Sequence, residues 1–146
     1  MSSDNVELVR ALQPSPGTDV TRLIRDESAW PAFVEANGVS FADDFTCAMR
    51  TPEGRLGLAS EYAGLQGLRE PWLDWLSPWV RYRTEIEQLL DADDHVVVFV
   101  RDHGVPNDSD SEVSFEGGAV WRCRAGKIVH IDFLGSRAEA LRAVGL

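Results

Sequence analysis

The chain has 146 residues, 44% hydrophobic and 26% charged, enough for a single domain over residues 1–146 with a sizeable core. Its formal net charge is −10 with lysine and arginine scattered, so it lacks the basic face that binds nucleic acid or an anionic membrane. No apolar run approaches the ~20 residues of a membrane span and the first residues carry no apolar signal core, so a cytoplasmic protein is expected.

In chain order, Val6, Val9 and Leu12 recur at helical spacing and predict a short helix over Asn5–Leu12. Pro14, Pro16 and Gly17 break it. Thr18 or Asp19 can start a second helix with Val20, Leu23 and Ile24 as its apolar stripe. A third runs from Ser28 to about Ala36 and buries Trp30, Phe33 and Val34. Pro31 falls in its first turn, where proline is tolerated. Asn37-Gly38 reads as a left-handed stop. Phe45, Cys47 and Met49 then alternate with Thr46 and Ala48 in a short strand within Phe41–Arg50. Thr51 to Gly54 is a turn, and Leu56 to Gly67 reads as an irregular connection.

Leu68, Trp72, Trp75, Leu76 and Trp79 form one wide apolar face and predict a helix over Leu68–Trp79. Four strands follow. The first, Val80–Leu90, alternates Tyr82, Thr84 and Ile86 with Arg81, Arg83 and Glu85. The others are Asp94–His103, Glu112–Arg124 and Lys127–Phe133. A polar hairpin loop over Gly104–Ser111 and a tight turn at Ala125-Gly126 connect them. Gly117-Gly118 reads as a bulge bending the sheet. Ser136 caps a terminal helix over Arg137–Val144, with Gly145 past its end. The order predicts an α+β fold: N-terminal helices packed on one face of a strongly curved antiparallel sheet, forming a cone with an internal cavity. Cys47 and Cys123 lack the short spacing of a metal knuckle or redox pair and read as buried, reduced thiols.

Four stretches together resemble SnoaL-like proteins of the nuclear transport factor 2-like superfamily. They are Tyr62-Ala63-Gly64-Leu65-Gln66-Gly67-Leu68-Arg69, Asp91-Ala92-Asp93-Asp94-His95-Val96-Val97-Val98, the closing hairpin Gly118–Trp121 with Gly126–Phe133, and Arg137-Ala138-Glu139-Ala140-Leu141. The resemblance implies the cone-shaped fold and a homodimer through the outer face of the sheet. It covers cyclases, isomerases, epoxide hydrolases, dehydratases and non-catalytic modules, so it leaves the activity open.

Residues two apart in a strand share a face, so Phe99, Arg101 and His103 point one way and Val98, Val100 and Asp102 the other. His130, Asp132 and Leu134 share a face of the last strand. Alternation does not say which face lines the cavity. By resemblance, Asp132 stands at the acid/base aspartate of SnoaL-type cyclases. Arg101 and His103 match an Arg-x-Asp pair of limonene epoxide hydrolases, with His103 replacing the aspartate and weakening the case for epoxide hydrolysis. An Asp132–His103 pair oriented by Arg101 could move a proton alpha to a carbonyl without metal or cofactor. The expected substrate is a small hydrophobic carbonyl compound, with Trp72, Trp75, Phe99, Trp121 and Tyr62 as ligand contacts. Weighed against this is a non-catalytic ligand-binding or dimerisation module in which Arg101 and Asp132 form a structural ion pair. His95 and Asp74 read as solvated, and His130 as lying at the cavity mouth or on the surface.

Overall fold

In the computed structural model, residues 2–15, 17–49, 62–134 and 136–145 are described. The expected turn at Thr51–Gly54 and most of the irregular connection lie outside them. Three helices open the chain: α1 (Ser2–Ala11), α2 (Val20–Arg25) and α3 (Ala29–Asn37). Asp19 caps α2, accepting a hydrogen bond from the Thr21 amide at 3.1 Å. The same carboxylate oxygen accepts from the Tyr82 amide at 3.2 Å, so one side chain both starts the helix and ties it to the sheet. Gly38 does not turn left-handed. Its φ of −56° carries the chain into a single 3-10 turn, Gly38–Ser40.

Strand β1 (Phe41–Met49) and the two-residue β2 (Tyr62–Ala63) precede α4 (Gly64–Leu76). The tryptophan helix thus starts four residues earlier than its apolar stripe and stops before Trp79, which opens β3. Pro71 lies inside α4 and supplies no amide hydrogen to the carbonyl a turn before it. That carbonyl, on Gly67, instead accepts from the Cys47 thiol at 3.7 Å. Gly67 also lets the helix close on β2, since a Cβ there would stand 3.0 Å from Tyr62.

The long strands are β3 (Trp79–Ala92), β4 (His95–Pro106), β5 (Val113–Arg124) and β6 (Lys127–Leu134), followed by α5 (Arg137–Ala143). With β1 and β2 they form a six-stranded sheet in the order β2-β1-β6-β5-β4-β3. All pairs are antiparallel except β1 with β6, which is parallel. Register shifts between Ile86 and Gln88 and between Arg122 and Cys123 mark where the ladder is interrupted and the sheet can bend. Gly117-Gly118 is not a bulge; β4 and β5 pair without a break there. The glycine serves packing instead. A Cβ on Gly118 would meet Ala140 Cβ at 3.1 Å and the Ser136 carbonyl at 3.3 Å.

Helices α1–α4 and the inner face of the sheet share the main core, which includes Val9, Ile24, Trp30, Phe45, Leu68, Leu76, Val98 and Ile131. Helix α5 packs on the opposite face, where Ala140 joins Val97, Phe99 and Val120 in a second, smaller core. The N-terminal helices thus pack on one face of the curved sheet, as the sequence predicts, and α5 adds cover on the other along part of its length. Among the described residues no helix is long and apolar enough to cross a membrane.

Candidate functional site

Between the helices and the inner face of the sheet lies a cavity of about 400 Å³. Helix α4 contributes Trp72 and Trp75, α3 contributes Trp30 and Phe33, and the sheet contributes Val98, Val100, Phe115, Trp121, Ile131 and Phe133. Two polar side chains stand side by side in this apolar wall: Asp102 on β4 and Thr84, opposite it on β3. Gln13, after α1, and Glu116, on β5, are the other lining residues with polar chain ends.

Asp102 is 9% exposed. Its Oδ2 accepts a hydrogen bond from the Tyr82 hydroxyl at 2.6 Å, and that hydroxyl accepts one from Trp75 Nε1–H at 3.0 Å. A chain of hydrogen bonds therefore runs Trp75 to Tyr82 to Asp102 among largely buried groups. Burial pushes the Asp102 carboxyl above the ordinary carboxylate range, against hydrogen bonds from Thr84 and Tyr82 and the field of His103. Burial, the Asp102 charge and the hydrogen bond to it all push the Tyr82 phenol up, while the Trp75 bond opposes them. The sequence shows only that Tyr82 and Thr84 alternate with charged residues on β3; the β3–β4 register of the folded sheet is what sets Thr84 opposite Asp102.

The three residues expected to carry chemistry are not brought together. Arg101, His103 and Asp132 all sit on the outer face, away from the cavity lining. Arg101 pairs with Glu87 at 3.3 Å, so it forms no ion pair with Asp132. The His103 side chain is 10% exposed and lies in a polar cluster. Its Nδ1 bonds Ser114 Oγ at 2.6 Å, Nε2 bonds Glu85 Oε1, and Glu112 lies 3.7 Å away. Asp132 Oδ1 bonds His130 Nε2 at 3.1 Å, and His130 Nδ1 bonds Thr46 Oγ1 at 2.7 Å, in a separate polar hollow of the outer face. The physical reason is the double cover. On β4 both Val96 and Val98 (inner) and Val97 and Phe99 (outer) are buried, so burial does not betray parity along this strand.

Of the expected ligand contacts, Trp72, Trp75 and Trp121 line the cavity. Phe99 does not; it packs beneath α5, with the Arg137 guanidinium 4.1 Å above its ring. Tyr62 packs partly buried against the main core rather than on the cavity wall. Burial raises both thiols, Cys47 to about 12 and Cys123 to about 11, and neither sits at the cavity. Among the described residues no group of three or more His, Cys, Asp or Glu side chains is placed to hold a metal ion.

Comparison with known proteins places this architecture. No curated protein matches the sequence. TerC, co-crystallised with polyporic acid, superposes with a TM-score of 0.66 at 16% identity, over 98% of this chain and 99% of TerC. A candidate SnoaL-like polyketide cyclase from Jannaschia sp. CCS1 gives 0.61 at 15% identity, over 97% of this chain and 92% of its own. An NTF2-like protein from Burkholderia thailandensis E264 gives 0.61 at 20%, over 97% of each chain. At these identities the likeness is one of fold. The sequence profile of the SnoaL-like domain matches residues 33–131, well over half of the chain, from the middle of α3 through most of β6, and so takes in the β3–β5 wall that carries Tyr82, Thr84 and Asp102. This chain therefore belongs to the SnoaL-like domain family.

Proposed function

We propose that this SnoaL-like protein is a cofactor-free general acid/base enzyme acting on a small hydrophobic carbonyl compound, with Asp102 in the role first expected of Asp132. The observation that carries the proposal is one buried carboxyl, held by a tyrosine hydroxyl, in an otherwise largely apolar cavity of about 400 Å³. Such a cavity is of the size that takes small organic molecules. Desolvation moves a carboxyl toward the pH at which it can both give and take a proton. A cyclisation, isomerisation or dehydration needs that exchange at a carbon next to a carbonyl, and Trp72, Trp75 and Trp121 would hold the body of the substrate. The candidate SnoaL-like polyketide cyclase among the structural neighbours and the co-crystallisation of TerC with polyporic acid are in keeping with a small-molecule cavity.

The test is a panel of aromatic and polyketide-like carbonyl compounds assayed for binding and turnover on wild type and Asp102→Asn. Turnover is expected to fall about 10²-fold or more in the variant, the usual contribution of a positioned acid/base group, with binding of the neutral members of the panel retained. Asp132→Asn should leave turnover within about twofold. Tight binding with no turnover in the wild type would instead assign the chain to the non-catalytic ligand-binding modules. The proposal extends to a homodimer through the outer sheet face, where Arg83, Glu85, Glu87, Arg101 and Glu112 set charges of both signs side by side. A surface of mixed sign suits a two-fold contact, in which each patch meets its own copy.

A further inference from the structure

The end of the cavity that holds Asp102 is walled by aromatic rings. Tyr82, which holds the carboxyl, lies 6.3 Å from Trp72 and 6.1 Å from Phe115, centroid to centroid. Trp75 meets Phe115 edge-on at 6.2 Å. Phe115 stands directly opposite Asp102 in the β4–β5 register, and with Trp72 and Trp75 it faces the cavity. Among the described residues no lysine or arginine lines this cavity. The side chains bonded to Asp102, Tyr82 and Thr84, are both neutral. Its neighbour His103 turns to the outer face, to Glu85 and Ser114, and the remaining charged residue of the lining, Glu116, is also acidic.

A carboxylate buried without a cation is costly, so it is neutralised either by a proton or by a positive partner. The surroundings here favour the positive partner in a ligand. Ring faces attract a cation through their quadrupole, most strongly where water is excluded, and they complement an anion poorly. A net charge of −10 also raises the local concentration of cations around the molecule.

We infer that the cavity takes a hydrophobic organic cation: an amine or quaternary ammonium on an apolar body, its nitrogen seated between Asp102 and the rings of Trp72, Trp75 and Phe115. The inference rests on the proposed function's reading of this cavity as the ligand site, and it narrows the ligand to molecules bearing such a nitrogen. With the cation seated, its charge favours the ionised form of Asp102, so in the acid/base exchange the carboxylate takes a proton first and returns it afterwards.

The test is isothermal titration of the wild-type protein near pH 7 with two probes of like shape, 1-naphthylmethylamine, which is protonated there, and 1-naphthalenemethanol, which is neutral. The amine is expected to bind at least about tenfold more tightly, in the range of a desolvated cation–ring contact reinforced by a carboxylate. Asp102→Asn should abolish that advantage, bringing the amine to within about twofold of the alcohol measured on the same variant. Equal affinities, or a tighter alcohol, would overturn the inference while leaving the cavity as a ligand site. An amine preference that persists in Asp102→Asn would also overturn it, because the cation would then be held elsewhere. Binding of neither probe to the wild type would count against the inference and the ligand-site reading together. The wild-type comparison decides even if the variant does not fold.

Discussion

Asp102 is costly to the fold and useful to the site, and the two follow from one cause. Removing a carboxylate from water disfavours its charge, and the Tyr82 and Thr84 hydrogen bonds only partly offset this. The consequence for stability has a definite sign. A carboxyl whose folded pKa lies above its unfolded value binds more protons in the native state, so its contribution is full below the unfolded pKa and is lost as pH rises through the folded one. From about pH 4 upward, wild type should therefore lose stability relative to Asp102→Asn, as urea denaturation at a series of pH values would show. A difference that stays flat with pH, or runs the other way, would mean that Asp102 is not held out of water. At the same scale, the exchange of roles between Asp102 and its neighbours Arg101 and His103 is a matter of parity. A shift of one position along a strand moves a side chain to the other face of the sheet.

Helix α5 covers the outer face, and its seat depends on absent atoms as much as present ones. Ser136 caps it, its Oγ accepting from the Glu139 amide at 3.2 Å, and Gly118 leaves the space that Ala140 enters. A larger side chain at 118 must push α5 away from Val97, Phe99 and Val120. Gly118→Val is expected to destabilise the protein by about 1–3 kcal/mol, the usual cost of overpacking, read as a lower urea midpoint. No change would mean that α5 is not packed where it is described. The same helix explains why Phe99 was expected in the cavity and is found outside it. An aromatic residue in a strand calls for cover, and two covers are available. Helix α4 shows the complementary case. Its tryptophan stripe is legible at helical spacing, yet Trp79 continues the spacing after the helix has ended, because Pro78 follows Ser77 and the chain turns into β3.

At the level of the whole molecule, a curved sheet with helices α1–α4 over its inner face encloses the cavity, and the outer face is left for α5 and for charged pairs. The proposed homodimer would use the part that α5 leaves open. Sedimentation equilibrium should then return twice the 16.2 kDa chain mass, with the dimer weakened by high salt if the charged pairs contribute. A monomer at all concentrations tested would sink it. The cavity does not depend on that outcome, since every residue named in its wall comes from one chain.

The order of the helices and of the long strands, the capping residue Ser136 and the turn at Ala125-Gly126, with φ of 53° and 78°, are local matters, and local patterns of polarity and turn chemistry determined them in the sequence, which left the cap of α2 open between Thr18 and Asp19. The motifs from Tyr62 to Leu141 likewise sufficed for the family. The face of β4 that looks inward was decided only in three dimensions. Period-two alternation names two sets of residues but does not say which is covered by which helix, and here both sets are covered along Val96–Phe99. Tertiary structure alone set Asp102 beside Tyr82 and Thr84, and turned Arg101, His103 and Asp132 to the other side, because cover on both faces removes the contrast that makes parity readable.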